Sequence, residues 1–190
     1  MRKKTIKKNH IIYAAAKVFS EKGLENATVD DIAREAGIAK GSIYQYFKSR
    51  DEIFIEGVSY FATQRIDLLN RLLSHYSTAR DKIHALLSAN SWIAKRQPEI
   101  FFMNYASLIS THKSIKKKAA NVFFTTYFKF VKNIIQNGIE KGEFKEGDSD
   151  IIALILIVTQ DMLHILRGVD KNFLYQKDIT KELIRLLLPN

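Results

Sequence analysis

Between Thr28 and Arg50 the run TVDDIAREAGIAKGSIYQYFKSR leaves room for little except two short helices joined at a fixed bend. Thr28 stands three residues before Asp31, so its hydroxyl caps a helix start while the carboxylate returns to the backbone. Val29, Ile32, Ala33 and Ala36 recur at i, i+3, i+4 and i+7, a single apolar stripe, and Gly37 ends that helix at low steric cost in a left-handed conformation. A second helix begins near Lys40 and extends to about Lys48, with Ile43 and Phe47 four apart on its buried side. Lys40, Ser42, Gln45, Tyr46 and Lys48 then point outward, a face of donors and cations. Gly41 carries no side chain to hold a phosphate or base edge away from its N–H. Ser49 and Glu52 repeat the capping pattern for the next helix. The combination reads as a DNA-binding helix-turn-helix.

Ala33, Gly37 and Ile43 have the spacing of the small residue, turn glycine and aliphatic anchor of helix-turn-helix proteins in general. The longer run AKGSIYQYFKSRDEIF, residues 39–54, resembles the recognition-helix signature of TetR-family transcriptional regulators, and the likeness extends from Ile11 to Phe54. The resemblance implies an all-α plan. A three-helix helix-turn-helix DNA-binding domain covers residues 1–48, and a helical ligand-sensing and dimerisation domain covers 49–190. It also implies a ligand-responsive regulator, more often a repressor, that binds a palindromic double-stranded operator as a homodimer. The two recognition helices then enter successive major grooves about 34–36 Å apart. Matched position by position, Thr28, Tyr46 and Lys48 are expected at phosphates, and Lys40, Ser42, Tyr44 and Gln45 near base edges, with Gly41 allowing close approach. Gln45 can pair with adenine through both amide groups.

Only 2 prolines and 8 glycines punctuate 190 residues, which disfavours many short strands, and no sheet is expected. An apolar content of 46% suffices for a sizeable core. The formal charge is +10, and residues 1–50 hold 11 Lys and Arg against 5 Asp and Glu, so the basic excess is concentrated at the motif. MRKKTIKK at the start reads as a frayed terminus, either solubilising or an arm lying along DNA. Ile12, Ala15, Ala16 and Phe19 then form a helix closed by Gly23.

Beyond Ser49, Ile53, Phe54, Val58, Phe61, Ile66, Leu69 and Leu73 mark a long connecting helix to about Tyr76, roughly 40 Å at about 1.5 Å per residue. Thr78 and Asp81 cap the next helix, Pro98 suits the first turn of another, and a further helix runs from about Ser114 to Gly142. The aromatic density around residues 101–130 exceeds what one helix face can bury. An apolar effector pocket is expected from Phe61, Trp92, Phe102, Tyr105, Phe123, Tyr127, Asp161 and His164. The charge of this small, largely apolar effector stays open. Lys113, Lys116, Lys117 and Lys118 suit an anionic headgroup, whereas Asp161 and Glu99 suit a lipophilic cation. A solid core and a ligand-independent regulator remain the alternative. Effector entry is expected to tilt the connecting helix and change the spacing of the DNA heads, a coupling of about 1–3 kcal/mol.

Ile151 to Val158 is apolar all round but far shorter than the roughly 20 residues of a membrane span. It reads as a buried helix that needs a partner subunit on one face. In TetR-like proteins the last two long helices of each subunit form a four-helix bundle, which assigns Leu156, Leu163, Ile179, Leu183 and Leu186 to the dimer interface.

Catalysis finds no support: His10, His75, His84, His112 and His164 include no i, i+4 metal pair, and nucleophile-elbow and phosphate-loop glycine patterns are absent. No cofactor, metal or membrane partner is expected, and with 0 cysteines and no apolar signal region the expected location is the cytoplasm. A basic helical protein acting on surfaces, or an enzyme, is the rival reading, and it leaves Gly37 to Lys48 unexplained.

Overall fold

A computed structural model of the chain describes residues 2–96, 103, 112–169 and 179–188, with side chains at 7–90, 92, 96, 103, 112–162 and 181–188. Every regular element among the described residues is helical. In order these are α1 (Arg2–Asn26), α2 (Val29–Glu35), α3 (Lys40–Tyr44), α4 (Arg50–Leu73), α5 (Ala79–Arg96), α6 (Lys113–Phe123), a π-helical turn (Phe124–Phe128), α7 (Lys129–Glu140), α8 (Ser149–Val169) and α9 (Ile179–Leu187). No described helix is long and apolar enough to cross a membrane.

Several boundaries differ from those the sequence suggests. The basic start is helical from Arg2 onward, and Lys8 pairs with Glu56 while lying 5.2 Å from the centre of the Phe47 ring. Gly23 (φ 77°) breaks α1 three residues before its end instead of closing it. The connecting helix stops at Leu73, ahead of Tyr76. The helix expected from Ser114 to Gly142 is interrupted by the π turn, which inserts one residue into the repeat. That insertion leaves Tyr127 buried at 5% exposure while Phe124 stands 52% exposed.

The chain divides into two compact units, residues 1–64 with 97–123 and residues 65–96 with 124–190, so the division falls inside α4 and not at 48/49. The reason lies in the first unit's core. Three helices, two of them of 7 and 5 residues, bury too little alone, and Ile53, Phe54, Val58 and Phe61 of α4 join Ile11, Phe19, Ile32, Ile43 and Phe47, with Met103, Ile115 and Ala119 completing the cluster.

The second unit combines an aliphatic core with a buried polar lattice. Leu69, Ile83, Leu86, Val131, Ile135 and Ala153 are almost fully enclosed. Glu143 caps α5 from outside the helix, its carboxylate accepting from the N–H of Ala79 at 2.6 Å and of Arg80 at 3.2 Å. Among these side chains, Asn90 on α5 is the hub. Its carbonyl oxygen accepts from Arg65 Nε (3.2 Å) and Nη2 (2.7 Å), and its amide donates to the Tyr127 hydroxyl and to Gln160 Oε1 (2.9 Å). Gln160 in turn donates to the Leu87 carbonyl at 2.6 Å. The Arg65 guanidinium lies 3.7 Å above the centre of the Tyr127 ring. The lattice ties α4, α5, the π turn and α8 together.

Truncating the hub strands several buried partners, each costing about 1–3 kcal/mol. Asn90→Ala is therefore expected to lower the unfolding free energy by about 2–4 kcal/mol, read from urea midpoints at unchanged m. A loss within the roughly ±0.5 kcal/mol of ordinary surface substitutions would show that the lattice carries no stability.

Candidate functional site

The helix-turn-helix is set by α2 and the bend after it. Thr28 Oγ1 accepts from Asp31 N at 3.1 Å, and Asp31 Oδ2 accepts from Thr28 N at 3.2 Å and from the Thr28 hydroxyl at 2.7 Å, so the capping box is closed. Lys22, donating to Asp31 Oδ1 at 2.6 Å, and then Thr28 hold this carboxyl down at about 2. Gly37 has φ 63°, the left-handed region that a glycine occupies without strain. His10 reaches across from α1, Nε2 lying 2.9 Å from the Ala36 carbonyl oxygen at the end of α2. Arg50 donates to the carbonyls of Glu25 (3.1 Å) and Ala27 (3.3 Å), which fixes the approach to α2 from the other side.

α3 is shorter than the sequence suggests. It spans Lys40–Tyr44, with Gln45 as C-cap, so Tyr46 and Lys48 follow the helix rather than lying on it. Ile43 (0%) and Phe47 (1%) are buried as expected. Gly41, Tyr44, Gln45 and Lys48 are exposed, Ser42 is half-buried, and Tyr46 is half-buried against the core. Lys40 is exposed but paired with Asp30 at 2.6 Å, a contact that raises its ammonium above the usual lysine range. Ser49 Oγ accepts from Glu52 N at 3.1 Å, and the Glu52 carboxylate returns one residue earlier than the pattern predicts, to Lys48 N. This second cap holds Lys48 beside α3.

The described members of the expected effector set are divided between the two units. Phe61 packs in the first unit's core, edge-on to Tyr13 and Tyr60, at 1% exposure. Trp92 is 50% exposed with the Arg96 guanidinium 5.0 Å from its ring centre, so it forms no interior wall. Phe123 closes α6 half-buried in the first unit. Phe102, Tyr105 and Glu99 lie outside the described residues, as does the side chain of His164. Tyr127 and Asp161 remain, both beside Arg65 in the second unit. Burial pushes the Tyr127 hydroxyl and the Asp161 carboxyl up, and for Asp161 the nearby Arg65 charge offsets part of that. Lys113, Lys116, Lys117 and Lys118 stand exposed along α6.

The interface residues need one clear correction. Leu156 is buried at 2% within its own unit and cannot meet a partner. The exposed face of α8 is instead Ile151 (57%), Leu154 (44%), Ile155 (53%), Val158 (54%) and Met162 (47%), a stripe at i, i+3, i+4, i+7 and i+11. Leu186 of α9 is 66% exposed and Leu183 half-buried, while the side chains of Leu163 and Ile179 lie outside the described residues. Composition announces this helix, but an unbroken apolar run hides which side faces out.

An exposed donor face on a short helix after a glycine bend, carried on an all-α chain, defines a helix-turn-helix DNA-binding protein. The signature described as "Bacterial regulatory proteins, tetR family" matches residues 11–56. The fatty acid metabolism regulator protein of Bacillus subtilis is 29% identical over 147 residues, which span 77% of this chain and 75% of that protein. The negative transcriptional regulator of the Staphylococcus aureus biofilm operon icaADBC is 28% identical over 144 residues, 68% of this chain and 76% of that protein. In fold, the crystal structure of FadR from Bacillus subtilis in complex with stearoyl-CoA superposes with a TM-score of 0.82 at 24% identity, covering 94% of this chain and 96% of that one. FadR from Bacillus halodurans gives 0.83 at 22% identity, covering 96% and 98%. Residues 11–56 thus carry the DNA-binding signature of the TetR family, and over most of its length the chain is similar to transcriptional regulators.

Two outcomes follow from the geometry. Lys48→Ala is expected to weaken binding to all duplexes and reduce the salt slope by about 1, whereas Gln45→Ala changes sequence preference by about 1–3 kcal/mol at one base pair with the slope kept. Titrations at several salt concentrations separate the two, and equal nonspecific losses overturn both roles. The Asp31 carboxyl, lowered in the folded state from 3.8 to about 2, contributes stability above pH 3.8 that is lost as pH falls towards 2. Thermal melts of Asp31→Asn should lack that pH-dependent component.

Proposed function

We propose that the chain is a homodimeric repressor that holds a palindromic operator in two successive major grooves and leaves it when a small, largely apolar effector binds the helical C-terminal part. The observation that carries the DNA half of this reading is the exposed face of Tyr44, Gln45 and Lys48 around a buried Ile43–Phe47 anchor. The exposed aliphatic stripe on α8 supports the dimer, because five apolar side chains at roughly half exposure on one helix form the kind of patch that a second copy covers.

For the effector, the relatives' names supply the class. A regulator of fatty acid metabolism is among the proteins similar over most of this chain, and a neighbour of the same fold was solved with stearoyl-CoA. A long-chain acyl thioester is the first effector to try. Arg65, Tyr127 and Asp161 give the interior of the second unit a polar pole where the remaining core is aliphatic. Release requires a differential affinity between the DNA-bound and free forms, and an effector that binds both equally shifts nothing. As a DNA-bound regulator the protein works in the cytoplasm and performs no chemistry of its own.

Selection from a random duplex pool at near-physiological salt is expected to return a palindrome with half-sites about one turn apart, released by stearoyl-CoA and not by coenzyme A alone. Ile155→Glu with Val158→Glu is expected to give a folded monomer in sedimentation, with operator affinity lower by about tenfold or more as bivalency is lost. A double variant that stays dimeric with full affinity defeats the interface assignment, and selection of no consensus defeats the repressor reading.

A further inference from the structure

The end of α4, the turn after it, the start of α5 and the length of α7 surround a solvent-open cleft of about 480 Å³ in the second unit. That volume falls within the roughly 300–1,000 Å³ of small-molecule sites. α7 supplies one stripe, with Phe130, Asn133, Asn137 and Lys141 at i, i+3, i+7 and i+11. Opposite, α4 presents Asn70, and α5 presents Lys82 one turn into the helix.

The lining has a consistent chemistry. Leu73 and Ala79 are buried beneath it, and Phe130 and Ile134 are half-buried, which gives an apolar floor with one aromatic ring. Three carboxamides stand exposed around that floor. Asn137 donates back to the Asn133 carbonyl at 2.7 Å, leaving its own carbonyl oxygen as an acceptor. Among the described residues the two cations, Lys82 and Lys141, form no ion pair and the lining contains no carboxylate. A purely aliphatic ligand would desolvate the amides without satisfying them. An inorganic anion would meet the lysines and leave the ring and amides unused. The matching guest has a flat body for Phe130, an edge that both donates and accepts, and a multiply charged anionic group.

We propose that this cleft binds a nucleotide-sized organic phosphate, its ring lying on Phe130, its edge read by Asn70, Asn133 and Asn137, and its phosphate held between Lys82 and Lys141. The site shares no residue with the DNA face or with the α8 stripe, so it stands or falls independently of the operator and of the dimer.

Titration of the isotope-labelled full chain with AMP tests it by NMR, because the side-chain amides of Asn70, Asn133 and Asn137 report on the cleft itself. Those resonances are expected to move with a Kd below about 1 mM. Lys82→Gln with Lys141→Gln, at half-buried and exposed positions whose replacement leaves the fold intact by circular dichroism, is expected to raise that Kd about tenfold or more. Phe130→Ala should raise it too. Adenosine and ribose 5-phosphate, each keeping half of the recognition, should bind about tenfold more weakly than AMP. AMP shifts confined to residues around Lys48 would assign the phosphate binding to the DNA face and overturn the proposal. An unchanged Kd in the double lysine variant, or AMP binding no tighter than ribose 5-phosphate, would overturn it as well.

Discussion

A helix of five residues makes too few internal hydrogen bonds to hold its own shape, so α3 takes its orientation from the burial of Ile43 and Phe47 beneath it. Each buried side chain of that size is worth about 1.5–3 kcal/mol, more than any single contact on the outer face. With those two anchored, Tyr44 and Gln45 have nowhere to point except outward. The bend before α3 and the cap after it work in the same sense. Gly37 gives the chain its change of direction without strain, and Glu52 holds the Lys48 N–H so that the residue following the recognition turn is not free to swing. The outward face of α3 is thus a consequence of the core underneath it.

That core is larger than a three-helix head because Ile53, Phe54, Val58 and Phe61 of α4 belong to it. Phe19 and Phe54 pack edge to face at 5.1 Å, and Tyr13, Tyr60 and Phe61 form a second aromatic group. Apolar packing of this kind tolerates exchange among similar side chains. The second unit is built differently: its centre contains two linked carboxamides, Asn90 and Gln160, whose partners include Arg65, Tyr127 and the Leu87 carbonyl, so losing Asn90 leaves several of them without it. Shape does most of the positioning in the first unit, with His10 and Arg50 adding hydrogen bonds to backbone carbonyls. In the second, direction matters as well.

What was readable in the sequence was local. Thr28 with Asp31, Thr78 with Asp81 and the turn at Gly37 are each decided within three or four residues, and the structure has all three. The length of α3 was not, since KGSIYQYFK carries helical spacing throughout while the helix ends at Tyr44. The π turn is equally silent in the sequence, and it goes with a tertiary contact, that of Tyr127 with Asn90 on α5. Long-range pairs left no trace at all: His10 meets Ala36, Arg65 meets Asn90, and Glu143 caps α5 from 64 residues away. For the candidate sites the result is uneven. The outward placement of Tyr44, Gln45 and Lys48 around the buried Ile43 and Phe47 was legible, whereas aromatic density alone could not say that Phe61 is buried in a core and Trp92 half exposed.

α8 shows how a polar group can set the register of an otherwise uninformative helix. Ile151 to Val158 offers aliphatic side chains in every direction, so rotating it by one residue changes little in buried apolar area. Gln160 removes that freedom. It must face Leu87 and Asn90, and it therefore turns Ala153, Leu156 and Ile157, its neighbours at i−7, i−4 and i−3, toward the interior. Turning the helix by about 100° would strand the Gln160 amide and one donor of Asn90, at about 1–3 kcal/mol each. Exchanging one isoleucine or leucine for another at the surface offers nothing to offset that. The face of Ile151, Leu154, Ile155, Val158 and Met162 is thus left outward by a hydrogen bond on the opposite side of the helix, and the stripe available to a second copy is chosen by the interior of the first.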